Sequence, residues 1–211
     1  MKVLVLGATA AMVAETLRLL AREGAELVLA ARRAEPLEDL VSELRQAGAG
    51  RVEGLPFEAA ESGRAGALVD RTLELLGGLE LLLVAHGELT DQAEAERDWV
   101  TFERSLQING TSAVEALMRA AAHFDATGHG HLVAISSGAG ARGRRSTYAY
   151  GIGKSMVTLC QQGLRARFRD RPIQVLTVFP CFVSTPMTAY LPRRLRWIDA
   201  EMHGQMGYMA R

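Results

Sequence analysis

Tyr150 and Lys154 stand four residues apart in the run Tyr150-Gly151-Ile152-Gly153-Lys154. On a helix that spacing puts an ammonium one turn from a phenol on the same face. Free Tyr ionises near pH 10, so moving a proton at neutrality needs its pKa lowered by about three, or about 4 kcal/mol. A cation about 4 Å away, at an effective dielectric of about 20, supplies about that much. The pair therefore reads as a phenol acidified by its neighbour. Composition singles out this lysine: of 24 basic side chains only Lys2 and Lys154 are lysines. Arg serves wherever a generic cation suffices, so a compact, tunable ammonium at 154 reads as required. Asn109 is likewise the only Asn in the chain.

The bulk properties bound what the pair can belong to. A chain of 211 residues, 48% hydrophobic and 23% charged, fits one domain with a full core. Its formal net charge is zero, so no long-range pull toward nucleic acid or an anionic membrane is expected. Cys160 and Cys181 make no metal or redox spacing, and a reduced cytoplasmic setting is expected. The run from Val3 to Ala14 imitates a signal peptide, but it divides into a strand, a Gly turn and a charged helix. No run is apolar for long enough to span a membrane.

The elements that must position the pair follow from periodicity. Short apolar runs over 2–6, 26–30, 51–55, 79–85, 131–136 and 174–179 read as strands. Between them, helical spacing appears over 11–23, 36–47, 62–76, 97–124 and 146–168, with Gly24, Gly48 and Gly77 as stops. This rhythm predicts a single α/β domain, a doubly wound parallel sheet with helices on both faces. The wide apolar stripe of the 97–124 helix predicts burial against the sheet and against a partner subunit.

Gly7 closes the first strand and opens a helix, where unpaired N–H groups and the positive end of the dipole favour a phosphate. Here the sequence resembles the short-chain dehydrogenase/reductase family, whose first turn reads Thr-Gly-x-x-x-Gly-x-Gly. Leu6, Gly7, Ala11 and Val13 stand in those places, so only the first glycine is kept. The resemblance implies a Rossmann-like sheet in the order 3-2-1-4-5-6 and a nicotinamide dinucleotide bound by Gly7, Thr9, Ala11 and Met12. The second strand ends Ala31-Arg32-Arg33, with Ala31 where an NAD site wants an acid. An Arg there favours a 2′-phosphate, so NADP is expected over NAD. A solvated surface pair is the other reading of Arg32 and Arg33. Glu58 is expected near the adenine.

The resemblance extends to the reaction centre. Ser137 precedes Tyr150 by the family's interval, and Asn109 matches the family's helix asparagine. Implied roles follow: Tyr150 is general acid or base, Lys154 lowers its pKa and binds the nicotinamide ribose, Ser137 orients the carbonyl, and Asn109 holds a water linking Lys154 to solvent. Ser136 and Tyr148 are nearby decoys that the spacing excludes. The fourth strand ends Ala85-His86-Gly87 where the family shows Asn-Ala-Gly; Ala85 and Gly87 are expected at the cofactor, and His86 reads as structural. After the sixth strand, Pro180, Val183 and Thr185 match the family's cofactor contacts, with Cys181 in place of a glycine.

Arg142, Arg144 and Arg145 fit either an anionic substrate or a solvated loop. The resemblance covers about 1–185, taken as the dinucleotide-binding and catalytic part; 186–211 is expected to form a lid over the substrate. Typical members add a seventh strand; none is recognisable here, so the sixth is expected to be an edge. The function expected is NADP-dependent interconversion of a small-molecule carbonyl and an alcohol, by a cytoplasmic homodimer or homotetramer joined through the two long helices. The alternatives are a catalytically weak NAD(P)-binding sensor or scaffold, and an epimerase or dehydratase with retained cofactor. No metal is expected.

Overall fold

The computed structural model describes residues 1–180, 183–184 and 198–199. Its elements are β1 (Lys2–Leu6), α1 (Ala14–Arg22), β2 (Glu26–Ala31), α2 (Ala34–Gln46), β3 (Arg51–Pro56), α3 (Arg64–Leu76), β4 (Leu81–Val84), α4 (Gln92–Ala95), α5 (Trp99–Leu106), α6 (Ser112–Thr127), β5 (Gly130–Ile135), α7 (Tyr148–Arg167) and β6 (Ile173–Val178). The six strands form one parallel sheet in the order β3-β2-β1-β4-β5-β6. A two-residue pair, β7 (Val183–Ser184) with β8 (Ile198–Asp199), lies apart from it.

Strand periodicity sends alternate side chains to opposite faces. Leu4 and Leu6 pack with Val69, Leu117, Phe124 and Val157 under α3, α6 and α7. Val3 and Val5 pack with Val13, Leu17, Leu37 and Val41 under α1 and α2. Two full cores on one sheet explain why β1 is apolar at every position from Val3 to Leu6. The edges are blunted by arginines: Arg45 donates to the Val52 carbonyl at 2.6 Å, and Arg165 to the Val175 carbonyl at 3.2 Å.

The boundaries differ from the sequence expectation where local chemistry decides. Helix α2 begins at Ala34, with Pro36 inside its first turn, where no N–H is needed. The long helix expected over 97–124 is interrupted. Asp98 caps α5 by accepting from Val100 and Thr101, a π-helical turn spans Gln107–Thr111, and α6 continues to Thr127, where Gly128 stops it at φ +85°. The short helix α4, capped by Asp91, was not expected.

Candidate functional site

The residues singled out by sequence gather on one rim of the sheet. Gly7 follows β1, Arg32 and Arg33 follow β2, Glu58 follows β3, Ala85 and Gly87 follow β4, Ser137 follows β5, and Pro180 follows β6. This is the carboxyl edge, where open α/β sheets bind ligands. Thr185 and Cys181 lie outside the described residues, as does all of 186–211 except 198–199; Val183 is buried.

At the centre, α7 crosses the π-helical turn with almost no separation. A Cβ on Gly153 would lie 2.7 Å from the Asn109 Cβ, and one on Gly110 would lie 3.0 Å from the Gly153 carbonyl oxygen. A Cβ on Gly151 would lie 2.6 Å from the Ala139 carbonyl oxygen, just past Ser137. The two glycines between Tyr150 and Lys154 are therefore the contacts that press the catalytic helix against Asn109 and the Ser137 loop. They had no role in the sequence reading. Glycine at alternate positions inside a helix, at a cost of about 1 kcal/mol each against Ala, was the available signal.

Tyr150 and Ser137 face each other, and a hydrogen bond from the Ser137 hydroxyl favours the phenolate. Lys154 Nζ sits 5.9 Å from the centre of the Tyr150 ring. Yet the expected acidification of Tyr150 does not hold in this structure. Burial raises its pKa above the ordinary value and outweighs Ser137. The ammonium is held instead by two backbone carbonyls, His86 at 3.1 Å and Ile135 at 3.2 Å. Burial brings the Lys154 pKa down to about 8. Four-residue spacing correctly stacks the two side chains but does not dictate which group the cation faces.

The decoys are used elsewhere. The buried Ser136 hydroxyl bonds the Lys154 carbonyl and Thr158. Tyr148 packs against Phe102 and hydrogen-bonds Glu96 and Gln92. Asn109 is fully buried, and its amide is committed to protein. Its Oδ1 accepts from the Glu88 N–H at 2.9 Å, and its Nδ2 donates to the Glu88 carbonyl at 2.9 Å and the Ser105 carbonyl at 3.1 Å. His86 does more than pack. The ring is buried, and its Nε2 shares a hydrogen bond of 2.8 Å with the Ser112 hydroxyl. Burial and the nearby ammonium push the ring's pKa down to about 3.

The first turn fits a dinucleotide. Gly7 has φ +84°, and a Cβ there would lie 2.5 Å from the His86 nitrogen, so no other residue fits. Ala11 is exposed, while Val13 points into the core under the sheet, so neither lost glycine fills the turn. Helix geometry leaves the N–H groups at the start of the Ala11–Val13 turn without intrahelical partners. Glu58 is spent on its own loop, accepting from the Ala60 N–H at 2.9 Å. Arg142, Arg144 and Arg145 are exposed. A cleft of about 650 Å³ opens beside this rim, lined by residues including Arg32, Gly87, Glu88, Thr90, Ser146 and Thr147.

The model of the short chain dehydrogenase family matches residues 1–195. The chain belongs to that family. With membership goes the enzyme class, an NAD(P)-dependent oxidoreductase. An uncharacterised oxidoreductase of Streptomyces coelicolor is 37% identical over 186 residues, covering 88% of this chain and 73% of that protein. The cis-4-hydroxycyclohexanecarboxylate dehydrogenase of Sinomonas cyclohexanicum is 30% identical over 193 residues, covering 91% and 77%. Among solved structures, a variant of actinorhodin polyketide ketoreductase with NADPH aligns with a TM-score of 0.86 at 23% identity, covering 99% of this chain and 89% of the other. A short chain dehydrogenase from Burkholderia cenocepacia in complex with NADP gives 0.86 at 22%, with the same coverage. The fold of this chain is thus the family's. Among its described residues no helix is long and apolar enough to cross a membrane, and no three His, Cys, Asp or Glu side chains are grouped to hold a metal.

Proposed function

We propose that this chain interconverts a carbonyl and a secondary alcohol with NADP as cofactor, Tyr150 moving the proton. The observation that carries the reading is the Ser137–Tyr150 pair facing each other on the carboxyl rim with the Lys154 ammonium against the phenol ring. When bound, the nicotinamide supplies or accepts the hydride. In the reducing direction Tyr150 gives its phenolic proton to the substrate oxygen, and the Ser137 hydroxyl donates to the same oxygen as negative charge develops. Lys154 steadies the resulting phenolate and returns a proton to it. Lys154 is in turn reprotonated by a route past Asn109. Gly7, Thr9, Ala11 and Met12 would cradle the diphosphate, with Ala85, Gly87, Pro180, Val183 and Thr185 along the rest of the cofactor. The NADP preference rests on Arg32, with Arg33 beside it, and on the lack of an acid at Ala31.

The name of one relative, a cis-4-hydroxycyclohexanecarboxylate dehydrogenase, supports a cyclic secondary alcohol that carries a carboxylate. Arg142, Arg144 and Arg145 would suit such a carboxylate. Trp99 and Val100 on α5, Met118 on α6, and Ile152 and Leu159 on α7 are exposed apolar side chains, which supports pairing of subunits through these helices. A cytoplasmic site of action completes the reading.

The test is a fluorescence titration with NADPH and NADH, followed by a screen of ketones, cyclic keto acids among them, for oxidation of bound NADPH. Tighter NADPH binding with turnover of a ketone is expected. Tight binding with no turnover of any carbonyl compound would favour the sensor reading, and preference for NADH would remove the Arg32 argument.

A further inference from the structure

One ion pair crosses the rim where the dinucleotide would lie. Arg32 follows β2 and Glu88 follows β4, and β1 runs between those strands. The Arg32 guanidinium nevertheless reaches the Glu88 carboxylate at 3.0 Å, spanning the carboxyl end of β1 above the Gly7 turn. Arg104, from α5, approaches the same carboxylate oxygen at 3.8 Å. Most exposed ion pairs are incidental. This one has a fixed base, because both the N–H and the carbonyl of Glu88 are bonded to the fully buried Asn109 amide. The Thr90 hydroxyl, two residues on, donates to Ser105 at 2.6 Å and pins the same loop. Glu88 is thus held by the reaction centre and extends its charge to the residue expected to read the cofactor's ribose.

We propose that Glu88 is a cofactor-specificity residue: its carboxylate occupies Arg32 in the free protein and must be displaced before Arg32 can bind the 2′-phosphate of NADP. The inference rests on the assignment of Arg32 to that phosphate. A phosphate and a carboxylate both offer anionic oxygens that a guanidinium binds through two parallel N–H bonds, so they compete for one fork. The displaced carboxylate also stays near the phosphate and repels it. Both effects weaken NADPH and leave NADH, which lacks the phosphate, largely untouched.

The test is a set of fluorescence titrations on wild type, Glu88→Gln and Arg32→Ala, with NADPH and NADH at low ionic strength. Gln keeps the backbone bonds to Asn109, so the loop stays in place. For Glu88→Gln, NADPH is expected to bind about fivefold more tightly, with NADH changed by less than about twofold. Unchanged or weaker NADPH binding, or equal tightening of both cofactors, overturns the inference. Arg32→Ala separates the two levels. If it weakens NADPH selectively while Glu88→Gln does nothing, only the role of Glu88 falls. If it fails to weaken NADPH selectively, the Arg32 assignment falls and takes this inference with it.

Discussion

The reaction centre and the cofactor turn are built to different tolerances. Around Lys154 the contacts are close: Gly153 against Asn109, Gly151 against Ala139, and the ammonium against two carbonyls. Around the first turn, one glycine is indispensable and two family glycines are gone. In that turn Gly7 combines a left-handed φ with a contact that a Cβ would violate. Ala11 faces outward and Val13 packs into the core, so both substitutions are absorbed. A glycine position is thus fixed by what its missing Cβ would strike, and a motif counted by letters misses that difference.

The contrast can be broken most severely at its chemical end. Lys154→Met removes the ammonium and leaves the His86 and Ile135 carbonyls unpaired; kcat for ketone reduction is expected to fall about 10²- to 10⁴-fold in steady-state assays. The two glycine classes separate by thermal melting. Gly153→Ala is expected to cost about 1–3 kcal/mol, because the Asn109 Cβ cannot swing away like the end of a long side chain. Ala11→Gly, restoring a family glycine on an exposed turn, is expected to change stability by less than about 1 kcal/mol. Equal effects would remove the distinction.

His86 joins the two regions, its nitrogen beside Gly7 and its carbonyl on Lys154. Its folded pKa of about 3 lies below the unfolded value of 6.5, so the unfolded chain binds more protons between those pH values. Stability from this group is therefore present above about pH 6.5 and lost as pH falls toward 3. Denaturant titrations should show wild type losing about 2 kcal/mol more than His86→Asn between pH 7 and pH 5. A pH-independent difference would mean that the ring is not held neutral.

The strands and the ends bearing Gly7, Arg32, Gly87 and Ser137 were legible because apolar runs and their stops are local signals, whereas the sheet order came from the family resemblance. The π-helical turn was not. Asn109 with Gly110 beside it marks a place where the helix could bend, but not the π-helical form of the turn that packs against α7. The role of Glu88 was invisible because it depends on two strands far apart in sequence. For Tyr150, spacing gives the proximity of Lys154, while burial, which raises the phenol's pKa, and the two carbonyls that hold the ammonium depend on the fold.

The most direct test of the central claim compares wild type with Tyr150→Phe in NADPH binding and single-turnover ketone reduction. If the phenol moves the proton, both proteins bind NADPH with Kd values within about threefold, and only the turnover rate of the variant falls, by about 10²-fold or more. A variant that reduces the ketone at the wild-type rate would contradict the account.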